Sequence, residues 1–394
     1  MLLIASTLIS LAIANSQHGD VYHHLLSKVK ILGDFNVHMI INDFLMAIFF
    51  LFVGLEIKHE ILHGNLSSFK KASFPIIGAF GGVLVPALIF LIFNANTDFA
   101  HGVGVPISTD IAFAIGIFMI LKNKLNPSLK IFLLSLAVVD DLISILVIGV
   151  LYSSGIKVGF LLLSTLMLCV LLLMNKKKVD KITPYIVVGI VLWFFVYSSG
   201  VHATISGVLV AMAIPSKKLT VSKAPMLERL EHKLAPLCNL FILPLFALAN
   251  TAINLSVDID FNSANTLIMG IVMGLVVGKP LGIMLFTWIA TKLNITEKPE
   301  GVDWLSILSV SLLAGIGFTM SIFVAEIAFG YSAALVNISK ISILSASVIS
   351  ILATYIVVVA IDAYKQRGSN LRGTNVYNQI IFHTEEMRKS KSMS

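Results

Sequence analysis

The chain has 394 residues, of which 57% are hydrophobic and 12% charged. A soluble domain carries about 25% charged residues and roughly 45–50% apolar ones, so this composition excludes an ordinary soluble globule and puts most of the mass in a bilayer. The net charge of +7 is accounted for by loops and a tail, and gives no reason to expect a nucleic-acid partner. Cys169 and Cys238 lie in or beside apolar runs. They read as small buried residues, not as a disulfide framework or a metal site.

A spanning helix needs about 20 mostly apolar residues. In chain order the apolar runs are 1–14, 38–56, 74–93, 106–121, 129–152, 158–174, 184–198, 200–214, 236–253, 266–291, 305–329 and 338–362. The expectation is an all-α integral membrane protein of about twelve transmembrane helices. No basic region precedes the first run, so it reads as a span and not as a signal peptide. Residues 1–362 form one transmembrane domain, and residues 363–394 a polar, basic, disordered tail.

Loop charge sets orientation. Lys28, Lys30, Lys157 and Lys340 fall on one side of the expected spans, and Lys279 lies inside one. Every other Lys and Arg falls on the opposite side, from Lys58, Lys70 and Lys71 to the tail's Arg388, Lys389 and Lys391. Positive charge marks the cytoplasm, so both termini are expected there.

Two runs look interrupted: the fourth by Pro106, Ser108, Thr109 and Asp110, the eleventh by Ala314-Gly-Ile-Gly-Phe-Thr-Met-Ser321. Unwound backbone in a membrane must be buried in protein or line a cavity. Segments 3–5 and 10–12 are offset by an odd number of crossings, which gives them opposite topologies. Paired broken segments in inverted repeats point to a transport site.

The intramembrane carboxylates carry the chemistry. Asp140 and Asp141 are consecutive on a helix, so they point about 100° apart. One is free to meet a partner while the other faces a cavity; the plainer alternative is a hydrogen-bonded structural pair. Asp110 sits at the helix break, where it can cap a half-helix, and Thr109 beside it offers an oxygen to a cation. Ionisable groups at such depth are functional by default. Lys279, in Gly278-Lys-Pro-Leu-Gly282, is the one cation expected deep in a span, and the Asp140/Asp141 pair is its natural partner; the alternative is snorkelling to an interface. Gly270, Gly274 and Gly278 suit close helix packing. Asp43 and Glu56 flank the second span, Glu326 reads as a mouth residue or a relay, and His202 as a packed histidine. Glu231 and His232 read as a solvated cytoplasmic patch.

Eight stretches occur in order: Ile41-Asn-Asp-Phe-Leu-Met-Ala47, Gly54-Leu-Glu-Ile-Lys58, Ser108-Thr-Asp-Ile-Ala-Phe-Ala114, Ala137-Val-Val-Asp-Asp-Leu142, Ser199-Gly-Val-His-Ala-Thr204, Arg229-Leu-Glu-His232, Gly278-Lys-Pro-Leu-Gly-Ile283 and Gly315-Ile-Gly-Phe-Thr-Met-Ser-Ile-Phe323. Over nearly its whole length the chain resembles the NhaA family of bacterial Na+/H+ antiporters, themselves a type case of the inverted-repeat architecture. The resemblance implies twelve helices, with discontinuous helices 4 and 11 crossing. It implies electrogenic exchange of cytoplasmic Na+ or Li+ for external H+ across the bacterial inner membrane, without a cofactor. Asp141, with Asp110 close by, matches the cation site, Thr109 stands beside it, and Asp140 matches the partner of Lys279. Glu56, Glu231 and His232 match positions tied to pH response. A lipid-embedded homodimer through a periplasmic β-hairpin in residues 15–37 is a further implication, although no hairpin is evident in those residues. The chain departs from the family pattern at His59, Glu228 and Ala235, where an arginine, a lysine and a histidine are expected, and its first helix is shorter. These departures put the pH set point in question and leave the core chemistry intact.

Three other classes compete. A sodium-coupled symporter needs a second site for an organic solute. An intramembrane aspartyl protease is expected to show Tyr-Asp and Gly-x-Gly-Asp, whereas here Asp110 follows Thr109 and Asp140 follows Val139. A channel would pass ions without obligatory proton exchange.

Overall fold

The computed structural model describes residues 2–32, 35–153, 155–217, 224–253, 264–299 and 301–391. Helices α1 (Leu2–Ala14) and α2 (Gly19–Ser27) come first, followed by a small antiparallel ladder of β1 (Lys30–Leu32) with β2 (Phe35–Asn36). The remaining described secondary structure is helical apart from short 3-10 turns: α3 (Val37–Leu62), α4 (Phe69–Asn94), α5 (Ile111–Leu121), α6 (Ser128–Leu151), α7 (Val158–Lys176), α8 (Ile182–Ser199), α9 (Ile205–Ala213), α10 (Met226–Asn250), α11 (Asn265–Lys292), α12 (Trp304–Ala314), α13 (Phe318–Phe329) and α14 (Ala333–Lys391). The ladder falls within residues 15–37, where the sequence shows no evident hairpin. Strands of three and two residues are too short to show an alternating pattern in sequence.

Every expected apolar run falls on a helix. Among the described residues eight helices are long and apolar enough to cross a membrane, or nine when the bent pair α12–α13 counts as one span. The first, fourth and eighth runs contain the shorter helices α1, α5 and α9. The backbone of α14 continues past residue 362 to Lys391.

Proline shapes two long helices. Pro244 and Pro280 each follow a π-helical turn, Cys238–Ile242 and Gly274–Gly278. A proline lacks an N–H and its ring collides with the carbonyl four residues back, and a wider turn ahead of it accommodates both defects. In α11 this places Lys279 directly after the widened turn, with its side chain wholly buried.

The largest core joins α3–α6 to α10–α14, while α7–α9 pack with α3 and the start of α10 in a second, smaller one. Leu162, Leu166, Leu172, Ile186, Val187 and Ile190 on α7 and α8 remain uncovered. Such a broad apolar face is suited to lipid tails. Helices α4 and α11 meet backbone to backbone where Gly81 faces Gly282; a Cβ on either would collide with the other's carbonyl oxygen. Close approach through small residues is how helices pack in lipid, which gives them no hydrophobic drive to associate.

Gly282→Ala is therefore expected to destabilise the protein by about 1–3 kcal/mol, the usual range for overpacking. Gly116 has open space around it, so Gly116→Ala in α5 is expected to match or exceed wild type. Thermal melting of the two variants in detergent micelles is the check, and equal melting would contradict the close-approach account.

Candidate functional site

The site begins with two broken helices. After a 3-10 turn at Ala100–Gly104 the chain runs without regular helix from Val105 to Asp110, and Asp110 caps α5. The second break, Gly315-Ile-Gly317, separates α12 from α13 with a bend of 44°. Gly315 is required there, because a Cβ would stand 2.6 Å from the Leu275 carbonyl oxygen.

The two breaks cross, and each supplies what the other lacks. The Asp110 N–H donates to the Ile316 carbonyl at 2.8 Å, and the Thr109 hydroxyl donates to the Ala314 carbonyl at 2.8 Å. Those acceptors sit at and just beyond the C-terminus of α12. In return, the Asp110 carboxylate accepts the Phe113 N–H at 2.9 Å from α5 and the Thr319 N–H at 3.1 Å from α13, together with the Thr319 hydroxyl. One negative charge thus stands between two half-helix N-termini, each a partial positive pole. Ser108, Thr109, Asp110, Thr319 and Ser321 are all buried. Free backbone ends in a bilayer core cost several kcal/mol each, so the crossing is also what allows both breaks to exist at this depth.

Asp140 and Asp141 diverge on α6. The Lys279 ammonium donates to Asp140 Oδ2 at 2.7 Å and to the Ile107 carbonyl, and both side chains of the pair are 1% exposed. Asp140 also lies beside Thr109. Asp141 turns the other way. Together with Asp110 it lines a cavity of about 360 Å³ whose wall includes Thr319, Glu56 and Asn239. Among the described residues, Oδ1 of Asp140 and of Asp141 and the hydroxyls of Ser108 and Ser144 are buried without a hydrogen-bond partner. A buried polar atom without a partner is costly. Of these four residues Asp141 lines the cavity, and its free carboxylate oxygen suits a small hard cation, which takes carboxylate, hydroxyl, carbonyl and water oxygens. Among the described residues no group of three or more His, Cys, Asp or Glu is placed to hold a resident metal ion.

Glu56 lies on the cavity wall, as far as one turn of α3 from His59, and Glu231 of α10 accepts from or pairs with His59 Nδ1 at 2.8 Å. Glu231 is therefore tied to α3 and is not simply solvated. His232, the next residue, is exposed. Three features escaped sequence reasoning. Thr319 holds Asp110, yet it sits within a stretch whose glycines drew attention first. Asn239 reaches the cavity from the π-helical turn of α10. Lys340 is buried and not simply solvated: its side chain is 7% exposed and pairs with Glu326. Its position near the start of α14 had placed it among loop charges.

A family model described as Na+/H+ antiporter 1 matches residues 1–358. The chain belongs to that family. Similar proteins include a Na(+)/H(+) antiporter NhaA 2 of Aliarcobacter butzleri, 45% identical over 89% of this chain and 91% of its own length. A Na(+)/H(+) antiporter NhaA of Helicobacter pylori is 43% identical over 80% of this chain and 81% of its own. One of Vibrio alginolyticus is 46% identical over 84% and 86%. For a member of the Na+/H+ antiporter 1 family, a cavity ending on two buried carboxylates is the feature of first interest.

Removing one partner of a buried ion pair strands the other, at a typical cost of about 3–5 kcal/mol. Lys279→Met is expected to lower thermal stability by that order, while the surface change Lys122→Ala leaves it unchanged. The double variant Asp140→Asn/Lys279→Met is expected to recover part of the loss. Equal melting of Lys279→Met and Lys122→Ala would contradict the pair.

Proposed function

We propose that this sodium/proton antiporter exports cytoplasmic Na+, and Li+, in electrogenic exchange for external H+. It is a secondary transporter and not an enzyme. The observation that carries the mechanism is the cavity that Asp110 and Asp141 share. Ionised carboxylates bind the cation as cargo; protonated ones cannot, so protons and Na+ compete for the same oxygens. Exchange is electrogenic when the numbers of protons and sodium ions moved in a cycle differ. Asp140 and Lys279 hold the adjoining wall and respond to the charge on Asp141, the next residue along the helix. Thr109 positions Asp110 through the crossing.

In the same proposal the chain is a multi-pass protein of the bacterial inner membrane, with twelve crossings in inverted repeats. Both termini are cytoplasmic, and residues 363–394 form a basic tail on that side. A homodimer through the β1–β2 segment fits the short ladder there. Glu56, Glu231 and His232 modulate the response to pH and do not create it. The cavity wall at Glu56 and the Glu231–His59 contact support a coupling between that patch and α3.

Asp141→Asn and Asp110→Asn are each expected to abolish sodium-driven proton movement in proteoliposomes while the protein stays folded. Wild-type turnover and sodium dependence in either variant would remove that residue from the site. Competition also fixes the sign of the pH response: exchange falls at acid pH, and raising sodium recovers it. Alanine at both Glu231 and His232 is expected to shift that profile along the pH axis. A flat profile with sodium binding retained would put control in the patch and contradict competition.

A further inference from the structure

Helix α13 runs from the site towards the far end of the molecule. Thr319, which holds Asp110, is followed one turn later by Phe323 and two turns later by Glu326, about 10 Å along the axis and on the same face. Phe323 packs on Phe50 of α3 at 5.5 Å and on Phe246 of α10 at 6.3 Å between ring centroids. All three rings are buried. Beyond this apolar layer lies a polar one built on the same helices. Asn42 of α3 and Asn250 of α10 exchange amide hydrogen bonds at 3.1 and 2.8 Å. Glu326 Oε1 lies 2.6 Å from Lys340 Nζ of α14 and 3.7 Å from His38 Nε2 at the start of α3. Along α3, His38 and Glu56 stand at opposite ends of the helix, and the cavity containing Asp110 and Asp141 extends to Glu56. The cavity therefore extends from the site to Glu56, and its lining includes none of His38, Asn42, Glu326 or Lys340.

We propose that Glu326, Lys340 and His38 form an ionic latch that holds the far end of the transport route shut while the cavity is open at the Glu56 end. The proposal rests on the antiport reading, since an antiporter must keep its site from opening to both sides together. Glu326 is well placed for the role. Its carboxylate ties α13 to α14, and the nearby His38 links the same carboxylate to α3. The rim location matters as well. Side-chain exposure rises from 7% at Lys340 through 16% at Glu326 to 28% at His38. When the helices part, water can reach these charges, so opening the latch does not strand them in an apolar core. The Asp140–Lys279 pair, at 1% exposure on both sides, has no such outlet. The two ion pairs therefore do different work: one is fixed in the core beside the site and the other closes the exit.

A latch must open in every cycle, whereas a static brace need not. Joining its two sides covalently separates these roles. The test uses the full chain with Glu326→Cys and Lys340→Cys in a Cys169→Ser/Cys238→Ser background. A short bifunctional thiol reagent bridges the cysteines, and a reductant cleaves the bridge. Sodium-driven proton movement in proteoliposomes is expected to fall to background when the bridge is closed and to return on reduction. Bridged protein that transports at the reduced rate overturns the latch. Should the reduced double-cysteine protein be inactive, the charge swap Glu326→Lys/Lys340→Glu carries the test. It is expected to exceed Glu326→Lys and Lys340→Glu alone, and a swap no better than either overturns the proposal. Wild-type protein in the same vesicles tests the antiport reading separately, because its failure to exchange would count against that reading and not against the latch.

Discussion

The structure depends on one constraint: a backbone group freed inside a bilayer must find a partner within the protein. Breaking a single helix at mid-depth would leave N–H and C=O groups stranded. Breaking two and crossing them lets the donors at one break satisfy the acceptors at the other, as Thr109 and Asp110 do for Ala314 and Ile316. The carboxylate of Asp110 completes the exchange by accepting from the starts of both following half-helices. The remaining features of the site follow from that crossing. A carboxylate is retained where hydrocarbon would surround it. Irregular backbone lines a cavity, and Ile107 in the unwound stretch gives its carbonyl to Lys279.

The second organising fact is the divergence of two adjacent aspartates. Consecutive residues on a helix cannot face the same way, so Asp140 meets Lys279 while Asp141 meets the cavity. Lys279 compensates Asp140 at short range and leaves Asp141 with an oxygen that has no protein partner among the described residues. An arrangement of this kind holds two acidic groups side by side in different roles. One is fixed in an ion pair, and the other is left to bind whatever enters. In the proposed mechanism a proton and a small cation are the two species that compete for it.

Much of this was legible in the chain. Apolar runs located the helices because spanning a bilayer demands length and hydropathy together. Pro106, Gly315 and Gly317 marked the breaks, and Lys279 pointed to the aspartate pair because no other cation stood so far from a loop. What escaped has physical reasons. The β1–β2 ladder is too short to show a period. Lys340 looks like a loop charge, since its neighbours Ile341, Ile343 and Leu344 belong to a helix that begins only a few residues earlier. The Glu231–His59 contact joins helices distant in sequence, and charge spacing alone assigns both residues to solvent. The Thr319–Asp110 bond required knowing that the breaks cross, which the family resemblance implied and the residues by themselves did not.

The central claim is that sodium and protons occupy the same carboxylates. Purified protein in weakly buffered micelle solution, titrated with sodium at a series of pH values, tests it without transport or mutation. Sodium addition is predicted to release protons, and the apparent Kd for sodium to rise as pH falls. Sodium binding with a pH-independent Kd and no proton release would contradict the account.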